Sequence, residues 1–163
     1  MASLDDLTGL LNRRSLDREL RRTWTRLARR RQPLGLLVID VDHFKKINDT
    51  HGHPAGDQTL KDCAALLRQT LRAGDRIGRY GGDEMIVLLP GAGPAETRAA
   101  ATRIVRAART HRFRHGRATL RMTLSIGMAS ACPGSGGTPD TLLIRADRAL
   151  YRAKKNGRNR ANS

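Results

Sequence analysis

Residues 79–89, Arg79-Tyr80-Gly81-Gly82-Asp83-Glu84-Met85-Ile86-Val87-Leu88-Leu89, set two glycines and two adjacent carboxylates at the head of an apolar run. Gly-Gly is a favoured two-residue hairpin turn because both central residues can take positive φ. The stretch therefore predicts strands over residues 76–80 and 83–89 joined about Gly81 and Gly82. Glycines without Cβ atoms would also let the backbone approach a phosphate or a base closely. Upstream, LGLLVIDV (Leu34–Val41) is a continuous apolar run that suits a buried strand, and it ends in carboxylates.

Helical periodicity surrounds these strands. Leu16, Leu20, Trp24 and Leu27 recur on one face with arginines opposite, which predicts a helix over about residues 12–30, closed by Pro33. Residues 43–49 read as one or two helical turns. Leu60, Cys63, Leu67 and Leu71 mark another helix, stopped by Gly74. Ala101, Ile104, Val105 and Ala108 mark a third. A strand lies within residues 118–129, LRMTLSIGMA included. After the Pro/Gly/Ser loop at 133–139, a last helix carries Leu143, Ala146, Leu150 and Ala153. Helices alternating with strands, plus a hairpin, indicate an α/β sandwich around a mixed or antiparallel sheet.

Size and composition narrow the classes. The chain has 163 residues, 39% of them hydrophobic and 28% charged, which fits one soluble domain. Neither a membrane-span-length apolar run nor a signal-peptide plan is present, and Cys63 and Cys132 make neither a metal pattern nor a disulfide framework. A cytoplasmic location is expected. The net charge of +16 implies attraction to polyanions, and nine arginines fall between Arg13 and Arg31. That run is equally the solvated face of a helix. With 3% aromatic residues, base-stacking platforms are not expected, so a ferredoxin-like nucleic-acid module is the weaker reading.

Asp40 and Asp83 head the chemical question. If their strands are neighbours, the carboxylates converge and repel unless a cation lies between them. A hard cation such as Mg²⁺ prefers oxygen ligands and is held by one or two carboxylates plus substrate phosphates. Spacing alone leaves two readings open, a metal–nucleotide site and a pair of solvated strand-end acids.

Five blocks, in order, carry a resemblance: DLTGLLNRR from Asp6, DVDHFKKIND from Asp40, HGH through Gly56-Asp57, RYGGDEM from Arg79, and DRALYRAK from Asp147 with Gly157-Arg158-Asn159. Through them the chain resembles the GGDEF family of diguanylate cyclases over essentially its full length, as one GGDEF domain spanning 1–163 with a core of about 4–160. The resemblance implies a nucleotide-cyclase and polymerase-palm-like fold, ferredoxin-like, with the motif on a β-hairpin. It implies condensation of two GTP into cyclic di-GMP, with release of pyrophosphate, between the half-sites of a homodimer. Two Mg²⁺ ions (or Mn²⁺) would be held by Asp40, the Val41 carbonyl, Asp83 and Glu84, with Asp83 helping to deprotonate the attacking hydroxyl.

Asn48 and Asp57 match the guanine-reading pair. Read without the family, they are a turn residue and a helix N-cap. Lys45, Lys154 and Arg158 match phosphate-contacting cations, with Lys45 stabilising developing charge. His43 and Phe44 open the short helix whose free N–H groups could meet phosphates, and Gly81 and Gly82 would border the substrate. Arg72 and Asp75 match the family's RxxD inhibitory product site, with Arg103 in support. Met85 stands where the family usually has Phe and is expected to pack beneath the turn. A regulatory domain or partner outside the chain is implied. The alternative within the family is a catalytically degenerate domain that only binds cyclic di-GMP.

Overall fold

The protein is described by a computed structural model covering residues 3–163. Its central sheet has five strands in the order β2 (Arg76–Gly81), β3 (Glu84–Pro90), β1 (Leu34–Val41), β6 (Leu124–Ala131) and β7 (Arg160–Asn162). β1 runs antiparallel to both β3 and β6, while β6 and β7 are parallel, so the sheet is mixed. Every residue of β1 is buried, because helices cover both faces of the strand at the sheet's centre. That is why its sequence is apolar throughout instead of alternating.

The period-2 geometry of the strands divides the core. Leu34, Leu36 and Val38 point to one side, with Ile86 and Leu88 of β3. There they meet Leu16, Leu20 and Leu27 of α1 (Arg13–Arg30) and Leu142, Ala146 and Leu150 of α5 (Pro139–Lys155). Leu37, Ile39 and Val41 point to the other side, with Met85, Val87 and Ile126. They meet Leu60, Cys63 and Leu67 of α3 (His53–Thr70) and Ala101, Ile104 and Ala108 of α4 (Pro94–Thr110). Fully burying each such Leu or Ile contributes roughly 1.5–3 kcal/mol. α2 (Phe44–His51) packs beside α3, and β4 (Arg112–His115) pairs with β5 (Ala118–Arg121) in a separate two-stranded ribbon.

Gly127 of β6 brings α5 onto the sheet. A Cβ there would lie 2.0 Å from the Ala146 carbonyl oxygen and 2.2 Å from the Leu150 nitrogen. Only glycine lets the helix backbone touch the strand, and no side-chain repacking could relieve that contact.

Several local expectations change. The hairpin turns at Gly82-Asp83, and Gly81 pairs with Glu84 across a bulge after Arg79. Neither Gly81 nor Gly82 lies in the left-handed region, so positive φ is not why they are glycine. The stretch at 118–129 is two strands, broken at Met122-Thr123 where the Asp42 N–H donates to the Thr123 carbonyl at 2.9 Å. α3 starts at His53 with Pro54 in its first turn, where a missing N–H is harmless, so Asp57 is inside the helix and is not its N-cap. α3 ends at Thr70 with Leu71 extended beyond it, and Gly74 does not adopt the left-handed stop conformation. The short strands β4 and β7 carry no pattern readable from so few residues. Among the described residues, no helix is long and apolar enough to cross a membrane.

Candidate active site

Asp40 lies one residue from the end of β1, and antiparallel register sets it directly opposite Glu84. The hairpin turn just before Glu84 swings Asp83 over the same strand end, where the Val41 N–H donates to the Asp83 carbonyl at 3.4 Å. The Asp83 carboxyl lies near enough to Asp40 to act on its ionisation. From the α5 side, the Lys154 ammonium pairs with Oδ2 of Asp40. Oδ1 of Asp40 is buried and has no protein partner.

Burial, then the proximity and charge of Asp83, push the Asp40 carboxyl up to about 7, although Lys154 pulls it down. Glu84 is raised as well, by burial first and then by the charges of Asp147 and Asp83, against Lys154 and Arg13. Four carboxyls, those of Asp40, Asp83, Glu84 and Asp147, thus face only Lys154 and Arg13, and the local field calls for more positive charge. The arrangement fits a divalent cation on two counts. An unpartnered carboxylate oxygen is open to a hard cation, and Asp83 and the Val41 carbonyl belong to the same strand end. Among the described residues, no group of three or more His, Cys, Asp or Glu makes a self-sufficient metal cage. A cation here would complete its shell with ligand phosphates and water, as Mg²⁺ does.

The turn bearing Asp83 is clamped from outside. Arg79 donates to the Gly82 carbonyl at 2.8 and 3.1 Å and pairs with Asp5 at 3.2 Å. Asp5 in turn accepts from the Thr8 N–H at 2.9 Å and from its hydroxyl at 2.7 Å. Sequence reasoning missed Asp5, although Asp is a residue type that readily accepts from the N–H three residues on, as in a helix cap. A Cβ added at Gly81 or Gly82 would meet nothing within 4 Å, so the outer side of the turn is open space.

Asp42 was also missed as an anchor. Its buried carboxylate accepts from Ser125 Oγ at 2.6 Å, Thr123 Oγ1 at 2.7 Å and the Asn159 N–H at 2.9 Å. The last bond pins the turn after α5, in which Arg158 (φ 61°) and Asn159 (φ 50°) are left-handed. Arg158 itself is exposed. Lys154 differs from the expectation of a free phosphate contact, since Asp40 already holds it.

On the α2–α3 side, His43 (φ 54°) precedes α2, Phe44 packs partly into the core, and Lys45 is exposed on the helix. Asn48 lies so close to α3 that a Cβ on Gly56 would fall 1.8 Å from its Oδ1. The glycine thereby brings the Asn48 amide beside the start of α3, where Asp57 is exposed. At the far end of α3, Arg72 and Asp75 form a closed turn. The Arg72 N–H donates to Asp75 Oδ2 at 2.9 Å, and the Asp75 N–H donates to the Arg72 carbonyl at 3.0 Å. Arg103 reaches this turn from α4 by donating to the Thr70 carbonyl at 2.9 Å. The Arg72 guanidinium stays exposed. Met85 is 1% exposed, beneath the hairpin.

Residues 2–160 match the family described as diguanylate cyclase, GGDEF domain. The chain is similar to the response regulator PleD of Caulobacter vibrioides, 44% identical over 165 residues that cover 98% of this chain and 35% of PleD. The chain thus spans about a third of that curated relative. The fold is similar to the GGDEF domain of DgcB from Caulobacter crescentus, solved in complex with c-di-GMP (TM-score 0.90, 31% identity, 98% of this chain and 91% of that one). It is also similar to the diguanylate cyclase SiaD of Pseudomonas aeruginosa, solved with its activator SiaC (TM-score 0.91, 38% identity, 97% of this chain and 60% of that one).

Proposed function

Because the chain belongs to the diguanylate cyclase GGDEF-domain family, we propose that it condenses two GTP into cyclic di-GMP and two pyrophosphates. The observation carrying this reading is the convergence of Asp40, Asp83 and Glu84 on one strand end, with one buried oxygen of Asp40 unpartnered. In each half-reaction the 3′-hydroxyl oxygen of one GTP attacks the α-phosphorus of the other. The bond to the β-phosphate breaks, and pyrophosphate leaves with its electron pair. Asp40, the Val41 carbonyl, Asp83 and Glu84 would hold Mg²⁺, which would supply charge neutralisation and a more acidic hydroxyl.

The chain's own residues supply position. Asp83, on a turn clamped by Arg79, accepts the hydroxyl proton. Asn48 and Asp57 read the guanine edge, where an amide and a carboxylate complement its carbonyl and N–H groups. The open outer side of Gly81-Gly82 leaves room for the nucleotide beside the turn. Lys45, the N–H groups following His43 and Phe44, and Arg158 meet the triphosphate, and Lys45 stabilises the charge that develops during transfer. Lys154, which pairs with Asp40, would be free to meet a phosphate if a cation took up the carboxylate charge. Because each half-site holds one GTP, two copies of the chain must face each other.

Arg72 and Asp75, with Arg103 behind them, would take cyclic di-GMP as an inhibitor, Arg72 forking onto its phosphate and Asp75 accepting from a guanine edge. The chain acts as one domain over 1–163, and a regulatory domain or partner brings two copies together; SiaD, solved with its activator SiaC, is a relative that has such a partner. A GTP-consuming reaction suits the cytoplasm. Incubating the protein with GTP and Mg²⁺ and measuring cyclic di-GMP tests the reading, with Asp83→Ala as control. Product from the parent and none from the variant is expected. Absence of product even at high protein concentration, with retained cyclic di-GMP binding, would favour the degenerate, effector-type alternative.

A further inference from the structure

The end of the sheet away from Asp40 holds a cavity of about 520 Å³ between α4 and α5. Arg98 of α4 faces it from one wall, and Arg145, Arg148 and Arg152 of α5 face it from the other, with Thr97 and Ser130 between. The three α5 arginines recur at helical spacing, so one face of the helix presents all of them. No acidic side chain lines the cavity, and among the described residues Arg98, Arg145 and Arg148 are in no ion pair, while Arg152 is held by the carboxyl group of Ser163. Glu96, the nearest acid on α4's first turn, is turned back onto the Gly93 N–H at 3.0 Å.

Two of the guanidiniums are held in place. Arg145 donates to the Ser130 carbonyl at 3.1 Å and Arg152 to the Ser163 main-chain oxygen at 2.8 Å. Each spends one N–H on the protein and keeps the rest of its fork. Arg98 and Arg148 make no side-chain hydrogen bond among the described residues, so both forks are free.

We propose that this cavity is a second anion site, which takes a small molecule carrying two or more linked phosphates. The unpaired guanidiniums of Arg98, Arg145 and Arg148 repel one another across one concavity, and a multivalent anion removes that repulsion while accepting from several planar forks at once. A single orthophosphate offers less charge and fewer acceptor oxygens than a linked polyphosphate. The site is distinct from the carboxylate pair: Asp40 is registered with Ser125 of β6, whereas the cavity borders β6 from Met128 to Ser130, on the order of 10–15 Å further along the strand.

The test is a ¹⁵N–¹H NMR titration of the full chain in EDTA at about 0.15 M salt, where diffuse surface attraction is screened. Tripolyphosphate, ATP and orthophosphate are the probes. Saturable shifts at Thr97, Arg98, Ser130 and Arg148 with tripolyphosphate are expected, with orthophosphate about tenfold weaker or more. Tighter binding of ATP would identify a nucleotide ligand, and tighter binding of tripolyphosphate an inorganic one. Arg98→Gln/Arg148→Gln should weaken binding about tenfold or more, since two charge-assisted contacts go, while Arg22→Gln/Arg29→Gln on α1 binds like the parent. Shifts spread over the α1 arginines, equal affinity for orthophosphate, or equal loss in both double variants would overturn the proposal. Because the shift map on the parent protein needs no variant, a folding defect in either double variant leaves the outcome decided.

Discussion

The strand-end acids and the Arg72–Asp75 turn are both short motif-bearing segments, yet they are built on opposite plans. Around Asp40 the charges are partly buried, mutually repelling and short of cations. Around Arg72 the turn closes on itself through two backbone N–H groups, and the guanidinium faces solvent. The first region holds unfavourable electrostatics that a ligand would relieve, whereas the second is satisfied before anything binds. Function and stability should therefore pull apart at the first and stay independent at the second.

The largest expected effect is at Asp40. Asp40→Asn should lower cyclic di-GMP formation by about 10³-fold or more, in the range of lost electrostatic stabilisation in a phosphoryl-transfer site. The melting temperature of the metal-free variant at pH 8 should not fall, because a charge resisting burial has been removed. A cooperative melt several degrees lower would show that the carboxylate is structural and break the contrast.

Next comes pH. Asp40's folded value of about 7 lies above its ordinary 3.8. The metal-free protein thus binds the extra proton in the folded state between about pH 4 and 7, and loses stability as pH rises through that window. Mg²⁺ needs the deprotonated form, so its apparent affinity should fall about tenfold per unit as pH drops below about 7. Calorimetric titration between pH 5.5 and 8.5 measures the slope. Lys154→Met should move the whole curve to higher pH, since the lysine holds Asp40 down.

At the other region, Arg72→Ala should raise the concentration of cyclic di-GMP needed for half-inhibition by about tenfold or more, one bidentate phosphate contact being lost. An unchanged inhibition curve would remove the turn from the product site. The smallest effects are on stability alone. Asp5→Ala should destabilise by about 1–2 kcal/mol, because it leaves the Thr8 bonds and Arg79 without their acceptor. Burial opposes ionisation of Asp5, but its bonds to Thr8 and its pairing with Arg79 win and lower its pKa. Its contribution is present above pH 3.8 and lost as pH falls through the folded value. Asp75→Ala should cost less than about 0.5 kcal/mol in the same urea melts, as expected of an exposed turn.

Legibility followed the same divide between regular pattern and tertiary contact. β1, β3 and the four long helices were readable because apolar spacing at period 3.6, or a continuous run, reports which face is buried. A mixed or antiparallel sheet with helical flanks followed from their alternation, and the family resemblance from five ordered blocks. What stayed hidden depends on partners distant in sequence. Asp5 matters through Arg79, Asp42 through Asn159, and Lys154 through Asp40, and none of these pairs has a local signature. The turn at Gly82-Asp83 was misplaced by one residue because a bulge after Arg79 shifts the register, and bulges leave no mark in an apolar count.

Gly127 has a bearing on that last pair. With helix backbone resting on strand backbone, the gap between α5 and the sheet has no adjustable filler, and α5 behaves as a gauge block whose thickness is set by an absent methyl group. Lys154 stands two turns beyond Ala146 on the same rigid rod. Lifting the rod at Gly127 would therefore withdraw the ammonium from the strand-end acids without altering any group that touches them.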